Sequence, residues 1–123
     1  MALIVDPITK QMEINRGDRG TFRLTAEEGN FMPDDKIVFS IIERQNYNNV
    51  VFQKEYTVLN EASYFDITLT KEDTTIGPII SNKVEYWYEV EYNGNQTLIG
   101  FDKNRQKKFI LYPEAPIKKG GNQ

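Results

Sequence analysis

Apolar side chains recur at every second position along most of the chain, in segments broken by Gly, Asn, Asp and Pro. This alternation is typical of β-strands with one buried and one solvated face. It predicts seven or eight strands, at 8–14, 21–26, 36–42, 50–58 and 64–70, in the two arms of a hairpin within 84–102, and within 107–116. Helical periodicity is nearly absent, so the expected fold class is all-β.

The turn signals between these segments recur every 8 to 12 residues, the spacing that a two-sheet antiparallel sandwich requires. A closed barrel is the alternative. One helical turn is expected after residue 70, because Thr70 is followed three residues later by Asp73 and can cap a short helix. The segment 15–20 predicts a turn in which Gly17 and Gly20 both supply positive φ.

The strand pattern also predicts which side chains form the core. On the expected inner faces lie Phe22, Leu24, Phe39, Ile41, Phe65, Ile67, Leu69, Tyr88 and Val90. In the segment 84–92, tyrosines and valines alternate with a second row that holds Trp87 among three glutamates. We interpret the tyrosine row as core. Trp87 is either tucked under a neighbouring loop or exposed as an anchor for a protein or a sugar.

Composition narrows the function classes. The chain has 123 residues, enough for one domain with a single core, and neither cysteine nor histidine. Disulfides, thiolate nucleophiles, cysteine-ligated zinc and the usual general base are therefore excluded. A mechanism based on Lys, Tyr or paired carboxylates is the route left to an enzyme. We expect no catalytic residue, no metal and no cofactor.

Charge is distributed unevenly along the chain. Residues 1–102 carry nine basic and seventeen acidic groups, whereas 103–123 carry six basic groups and only Glu114. The mildly acidic total argues against nucleic-acid binding. A basic C-terminal segment suits either a solvated tail or a docking arm for an acidic partner. We expect neither a secretory leader nor a membrane span, because the opening apolar run is too short.

Three short motifs invite a functional reading. Arg16, Gly17 and Asp18 spell the integrin-binding tripeptide, which a tight turn explains equally well. The pairs Glu27/Glu28 and Asp34/Asp35 offer carboxylates but lack the spacing of a calcium loop. The run 102–108 is basic but lacks the glycine-rich cradle of a phosphate site. We interpret the tripeptide as a tight turn between two strands, the acidic pairs as solvated loops and the basic run as a charged hairpin loop.

Three stretches taken together carry a family resemblance: "INRGDRGTFRLT", "DITLTKEDTTI" and "EYWYEVEYNGNQTLIGFDKNRQKKFILYPEA". They resemble small immunoglobulin-like virion proteins of phages of low-GC Gram-positive bacteria, such as the first domain of baseplate upper proteins and related capsid decoration proteins. The shared parts are an early Gly-Asp turn, an acidic crossing at 70–74, a tyrosine-rich strand at 86–92 and a closing strand at 109–113. The resemblance spans residues 8–115. Baseplate upper proteins continue into a helical stalk, whereas for this sequence we expect a self-contained module that decorates an assembly.

The resemblance implies an immunoglobulin-like sandwich over residues 8–113, with an N-terminal arm at 1–7 and a basic tail at 114–123. It implies a non-enzymatic virion protein, made in the cytoplasm of the bacterial host, that decorates a capsid by binding the major capsid protein. A tail or baseplate component and a carbohydrate-binding adhesion module are the alternatives. A homo-oligomer and a host-surface glycan stay open as further partners. The candidate partner-binding residues are Leu3, Ile4, Val5, Trp87, Lys107, Lys108, Lys118 and Lys119.

Overall fold

The computed structural model describes residues 3–5, 9–26, 28–100 and 107–114. These residues contain nine strands and one short helix. The strands are β1 (Ile4–Val5), β2 (Met12–Asn15), β3 (Gly20–Thr25), β4 (Lys36–Glu43), β5 (Val50–Thr57), β6 (Tyr64–Leu69), β7 (Val84–Tyr92), β8 (Gln96–Ile99) and β9 (Lys107–Tyr112), and the helix is α1 (Lys71–Thr74). No helix in this part of the chain is long and apolar enough to cross a membrane.

Seven of the strands form one large sheet in the order β1-β2-β9-β7-β4-β5. The strand β8 joins it as the hairpin partner of β7, next to the stretch of β7 that pairs with β9. The hairpin turn contains Asn93 and Gly94, both at positive φ, as expected for an Asn-Gly turn between twisted strands. The long strand β7 is thus a central strand of the large sheet, with β4 on one side and with β9 and β8 on the other.

The remaining two strands, β3 and β6, form a small antiparallel sheet. Its inner face packs on the large sheet, as the burial of Phe22, Leu24, Ile67 and Leu69 shows. On the large sheet Phe39 is fully buried, and its ring centre lies 5.7 Å from that of Tyr88 and 6.3 Å from that of Phe109. This aromatic group sits at the centre of the core. The prediction of a two-sheet sandwich is therefore confirmed.

The strand order is that of an immunoglobulin variable-type sandwich. The sheet that contains β9, β7, β4 and β5 corresponds to the G, F, C and C′ strands, and β3 and β6 correspond to B and E. Eight strands overlap the predicted segments, and β2, β3 and β4 each extend one residue beyond them. Of the nine predicted core residues, eight are buried, and Phe65 is half-buried.

Two details of the large sheet differ from the sequence-based expectation. Ile4 and Val5 form β1, paired with β2, so part of the segment assigned to an N-terminal arm belongs to the sheet. The strand β2 runs parallel to β9, whereas every other pair of described strands is antiparallel. Alternation reveals which face a side chain occupies but carries no information about the direction of the neighbouring strand.

The two glycines of the β2–β3 turn have different roles. Gly17 has a φ of 86°, as predicted. Gly20 is not at positive φ and is the first residue of β3. A Cβ atom on Gly20 would lie 2.5 Å from the Cβ of Leu3. The prediction of positive φ at Gly20 is therefore wrong, because this glycine leaves space for a neighbouring segment and makes no left-handed turn.

The single helical turn forms where the sequence predicts it. Thr70 accepts a hydrogen bond from the backbone N–H of Asp73, and the Asp73 carboxylate accepts one from the backbone N–H of Thr70. This capping box satisfies two backbone donors that a helix start leaves unpaired. Lys54 of β5 also donates to Asp73, at 2.8 Å. The helix is thereby tied to the large sheet.

Replacing Phe39 with alanine tests the position of the core. We expect the free energy of unfolding to fall by about 3–5 kcal/mol, because the aromatic group loses its central ring and a cavity remains. Urea denaturation measures the change. Leu59, which is 78% exposed, is the control, and its alanine variant should change stability by no more than about 0.5 kcal/mol. A loss below about 1 kcal/mol for Phe39→Ala would contradict the assignment of faces.

Acid should reveal the contribution of Asp73. Burial acts to raise the pKa of its carboxyl, but the hydrogen bonds from Lys54 and Thr70 and the charge of Lys54 outweigh burial and lower the pKa. A lowered pKa gives stability that is present above the unfolded value, about 3.9, and is lost as pH falls through the folded value. Below about pH 4 the wild type should therefore lose stability more steeply than Asp73→Asn.

Urea midpoints measured at a series of pH values check this expectation. Glu72→Gln, on the same helical turn but exposed, is the matched control and should follow the wild type. Parallel pH profiles for the wild type and Asp73→Asn would show that Asp73 contributes no such linkage.

Candidate functional site

Trp87 lies on the outer face of the large sheet. On β7 it stands opposite Lys108 of β9 and Ile42 of β4. The indole is half-buried, and the guanidinium carbon of Arg44, in the β4–β5 turn, lies 5.3 Å from the ring centre. Such a cation–π contact holds an arginine against an aromatic face. The ring is therefore not a fully open stacking platform.

Three cations surround a carboxylate beside Trp87. Glu85 forms a salt bridge with Arg44, and its oxygens lie 3.6 Å from the ammonium groups of Lys83 and Lys108. We call Arg44, Lys83, Glu85, Trp87 and Lys108 the Trp87 patch. Three positive charges against one negative charge leave the patch with a net charge of +2. The Glu85 side chain is only 19% exposed, so the cations lie outside it, towards the solvent.

An apolar layer lies under these charges. Ile42 and Ile110 belong to the outer face of the large sheet, yet they are 2% and 4% exposed. They stand directly across from Trp87 and Glu85. The side chains of the Trp87 patch thus rest on a small buried surface, which restricts their positions more than an isolated surface cluster would be restricted.

The other end of the same face is acidic. Glu89 and Glu91 of β7 lie there, with Glu55 of β5 two strands away. Glu89 accepts a hydrogen bond from the Tyr47 hydroxyl, and Glu91 accepts one from Thr97 at 2.6 Å. Burial, with the nearby Glu89, raises the pKa of the Tyr47 phenol, so it stays protonated. The outer face therefore carries opposite charges at its two ends.

The remaining predicted lysines separate from this patch. Lys107 begins β9 opposite Tyr88, one position before Lys108, and is half-buried. Because successive side chains of a strand point to opposite faces, Lys107 and Lys108 do not share a surface. Lys118 and Lys119 lie outside the described residues. Of the four predicted lysines, the structure thus brings Lys108 to Trp87.

The predicted N-terminal contact residues lie elsewhere. Leu3 is half-buried and packs against the core beside Gly20 and Ile14. Ile4 and Val5 pair their backbones with Glu13 and Met12, and their side chains lie outside the described part. Leu3 therefore contributes to the protein's own core, and its role as a contact for a partner stays a prediction.

The integrin-type tripeptide is not displayed. Arg16 is 7% exposed, and its guanidinium donates to the carbonyls of Ile76 and Gly77 at 3.1 and 2.6 Å and to Glu114 at 2.5 Å. The arginine links the end of β2 to the segment after α1 and to the residues after β9. The interpretation of this motif as a turn is supported, with the addition that Arg16 has a structural role.

The acidic pairs do not gather into a metal site among the described residues, where no group of three or more carboxylates is suitably placed. Asp35 instead organises a turn: it accepts hydrogen bonds from the Tyr92 hydroxyl and the Met32 backbone, and these lower the pKa of its carboxyl. Glu28 is exposed, and Glu27 lies outside the described residues.

The chemistry available at the Trp87 patch is that of recognition. Arginine and lysine supply charge-assisted donors, and tryptophan supplies a partly exposed ring. Of these residues, arginine and tryptophan are enriched at protein interfaces. Arg44 and Lys83 were not among the predicted contact residues. Arg44 lies 43 positions from Trp87 and reaches the indole because β4 pairs with β7. Lys83 directly precedes β7 and lies beside Glu85.

The packing of Leu3 can be tested through Gly20. We expect Gly20→Ala to lower stability by about 1–3 kcal/mol, because the new methyl group overlaps the Leu3 Cβ. Removing that Cβ with Leu3→Gly should reduce the cost of Gly20→Ala. A double-mutant cycle in urea measures the coupling. Additive effects of the two substitutions would contradict the contact.

Comparisons with protein-family models, with curated proteins and with solved structures find no match to this chain.

Proposed function

We propose that the protein is a structural component of a phage virion, and that it decorates the capsid by binding the particle surface through the Trp87 patch. The observation that carries the proposal is this net-positive cluster around a tryptophan on an otherwise acidic domain. The resemblance described for residues 8–115 supports the choice of assembly. Binding, and no chemical turnover, is its role.

The patch has the properties of a docking site for an acidic surface. Arg44, Lys83 and Lys108 present their charged ends with side-chain exposures of 46%, 54% and 39%. The half-buried indole adds apolar area that a partner covers on contact. Electrostatic complementarity of this kind favours one partner over others and speeds association.

The acidic end of the same face favours one orientation of the protein on the particle. A partner that carries acidic groups is attracted to the Trp87 patch and repelled by Glu89 and Glu91, so only one orientation on the particle is favourable. We therefore place the major capsid protein, with an acidic outer surface, as the partner.

Particles purified from the bacterium that carries the gene provide the first test. Mass spectrometry should find the protein in them, and raising salt from about 50 mM to about 500 mM should release it, because ions screen exposed charges. Particles that contain none of the protein would contradict the virion assignment. Retention at every salt concentration would contradict the electrostatic attachment alone.

Charge removal tests the patch itself. We expect the double variant Lys83→Ser/Lys108→Ser to bind particles roughly tenfold more weakly, because two exposed cations of the interface are lost. The matched control is Lys36→Ser/Lys71→Ser, which removes the same charge at positions away from the Trp87 patch. Circular dichroism confirms folding of both. Equal weakening in both variants would indicate a general charge effect, and Trp87-dependent binding to a glycan array would favour the adhesion alternative.

A further inference from the structure

One edge of the small sheet has free backbone groups. The strand β3 pairs with β6 only, and the ladder continues with a 2.8 Å hydrogen bond from the N–H of Ala26 to the carbonyl of Ser63. Because backbone groups of an antiparallel strand alternate in direction, those of Thr21, Arg23 and Thr25 point away from β6. No hydrogen bond within the described residues reaches these six groups.

The opposite edge of the small sheet is better covered. On β6 the carbonyl of Thr68 accepts a hydrogen bond from the Tyr56 hydroxyl at 2.7 Å, and the Tyr56 ring packs against Phe65. At the start of β3, Leu3 lies over Gly20. Among the described residues, no side chain bonds in this way to the outward backbone groups of Thr21, Arg23 and Thr25.

A cleft of about 860 Å³ lies beside this edge, between β3 and β8. Phe22, Leu24 and Phe31 form its apolar floor, and Leu98 and Ile99 belong to its wall. Leu98 is 40% exposed. Such a cleft beside free backbone groups suits an extended chain, which offers hydrogen bonds along one edge and a side chain to the cleft at every second residue.

The charged residues that line the cleft restrict the net charge of the segment that can bind there. Among the described lining residues, Arg23 is neutralised by two hydrogen bonds to Asp66, at 2.8 and 3.0 Å. Lys10 and Glu28 are the other charged groups of the lining, one of each sign. The cleft therefore favours a segment without net charge.

We propose that β3 and this cleft bind an extended segment of a partner protein by antiparallel strand addition. The added strand pairs with Thr21, Arg23 and Thr25 and directs alternate apolar side chains into the cleft. A segment is favoured over the edge of a second copy because β3 and β8 of the same molecule line the two sides of the cleft, which suits a single extended chain. The site lies apart from the Trp87 patch and does not depend on the virion assignment.

Amide exchange in the free, full-length protein gives the first test. The N–H groups of Thr21, Arg23 and Thr25 should exchange rapidly, whereas those of Phe22 and Leu24, directed at β6, should be protected. NMR with isotope labelling resolves these residues. Protection of all five amides in the free protein would show that another part of the chain already covers the edge, and would overturn the proposal.

A model strand gives the second test. The probe is a blocked heptapeptide of alternating threonine and valine, Thr-Val-Thr-Val-Thr-Val-Thr. Its addition should slow exchange at Thr21, Arg23 and Thr25 and shift the resonances of Leu98 and Ile99. In antiparallel pairing the residues that bond to β3 share the outward face of Arg23, so they are the threonines, while the valines enter the cleft.

N-methylation of the peptide distinguishes the threonine amides, which bond to β3, from the valine amides, which do not. Methyl groups on the threonine amides remove donors to β3, so we expect binding to weaken by more than about tenfold. Methyl groups on the valine amides should leave binding nearly unchanged. Equal binding by all three peptides, or resonance shifts on another surface, would overturn strand addition, as would the absence of binding by the unmodified peptide.

A protein variant completes the test. Thr25→Pro removes one outward N–H without breaking the β6 ladder, and should weaken peptide binding about three- to tenfold. Thr68→Pro, which removes an outward N–H from the opposite edge, is the matched control and should bind like the wild type. Equal affinities of the two variants would contradict the assignment of the edge. Dimerisation through β3, detected by sedimentation, would contradict the choice of a peptide segment.

Discussion

The sandwich depends on one geometric constraint: two strands must cover the inner face of a sheet that is six strands across. A sheet is stable only when its apolar face is removed from water, and β3 and β6 are too few to do this alone. Side chains from loops and ends supply the rest. Phe31, Val58 and Ile76 are 5%, 2% and 7% exposed although they lie outside the strands. Leu3, which precedes β1, adds to the core at one edge, and at the other edge Tyr56 of β5 packs against Phe65 of the small sheet.

The same constraint explains where the sequence is informative. Alternation along a single strand identifies its buried face, so the burial of Phe39, Ile67 and Tyr88 is predictable from local pattern. The capping pair Thr70 and Asp73 is equally local, so the short helix is also predictable from the sequence. The burial of Phe31 and Val58 is not predictable in this way, because loop residues have no periodicity. Their burial follows from the narrowness of the small sheet, which depends on pairings between distant segments.

The candidate site, too, is predictable from local sequence pattern only in part. The sequence places Trp87 among glutamates, which predicts the acidic end of the face but not the positive cluster at the other end. That cluster forms because β7 pairs with β4 on one side and β9 on the other, which brings Arg44 and Lys108 to the indole. Because successive side chains of β9 point to opposite faces of the sheet, Lys107 lies on a different surface from Lys108. Counting charges along a segment cannot make this distinction, whereas strand register can.

The contacts of Arg16 bear on when the domain can finish folding during synthesis. It bonds to Glu114, 98 residues further along, and its strand β2 is held in the large sheet by β9, near the other end of the described chain. Contacts between such distant residues form late, after the loop between them has been closed. On the ribosome, β2 therefore waits for nearly the whole domain to emerge. Until β9 arrives, β1 and β2 can pair only with each other, and β3 to β7 must hold an unfinished sandwich without them.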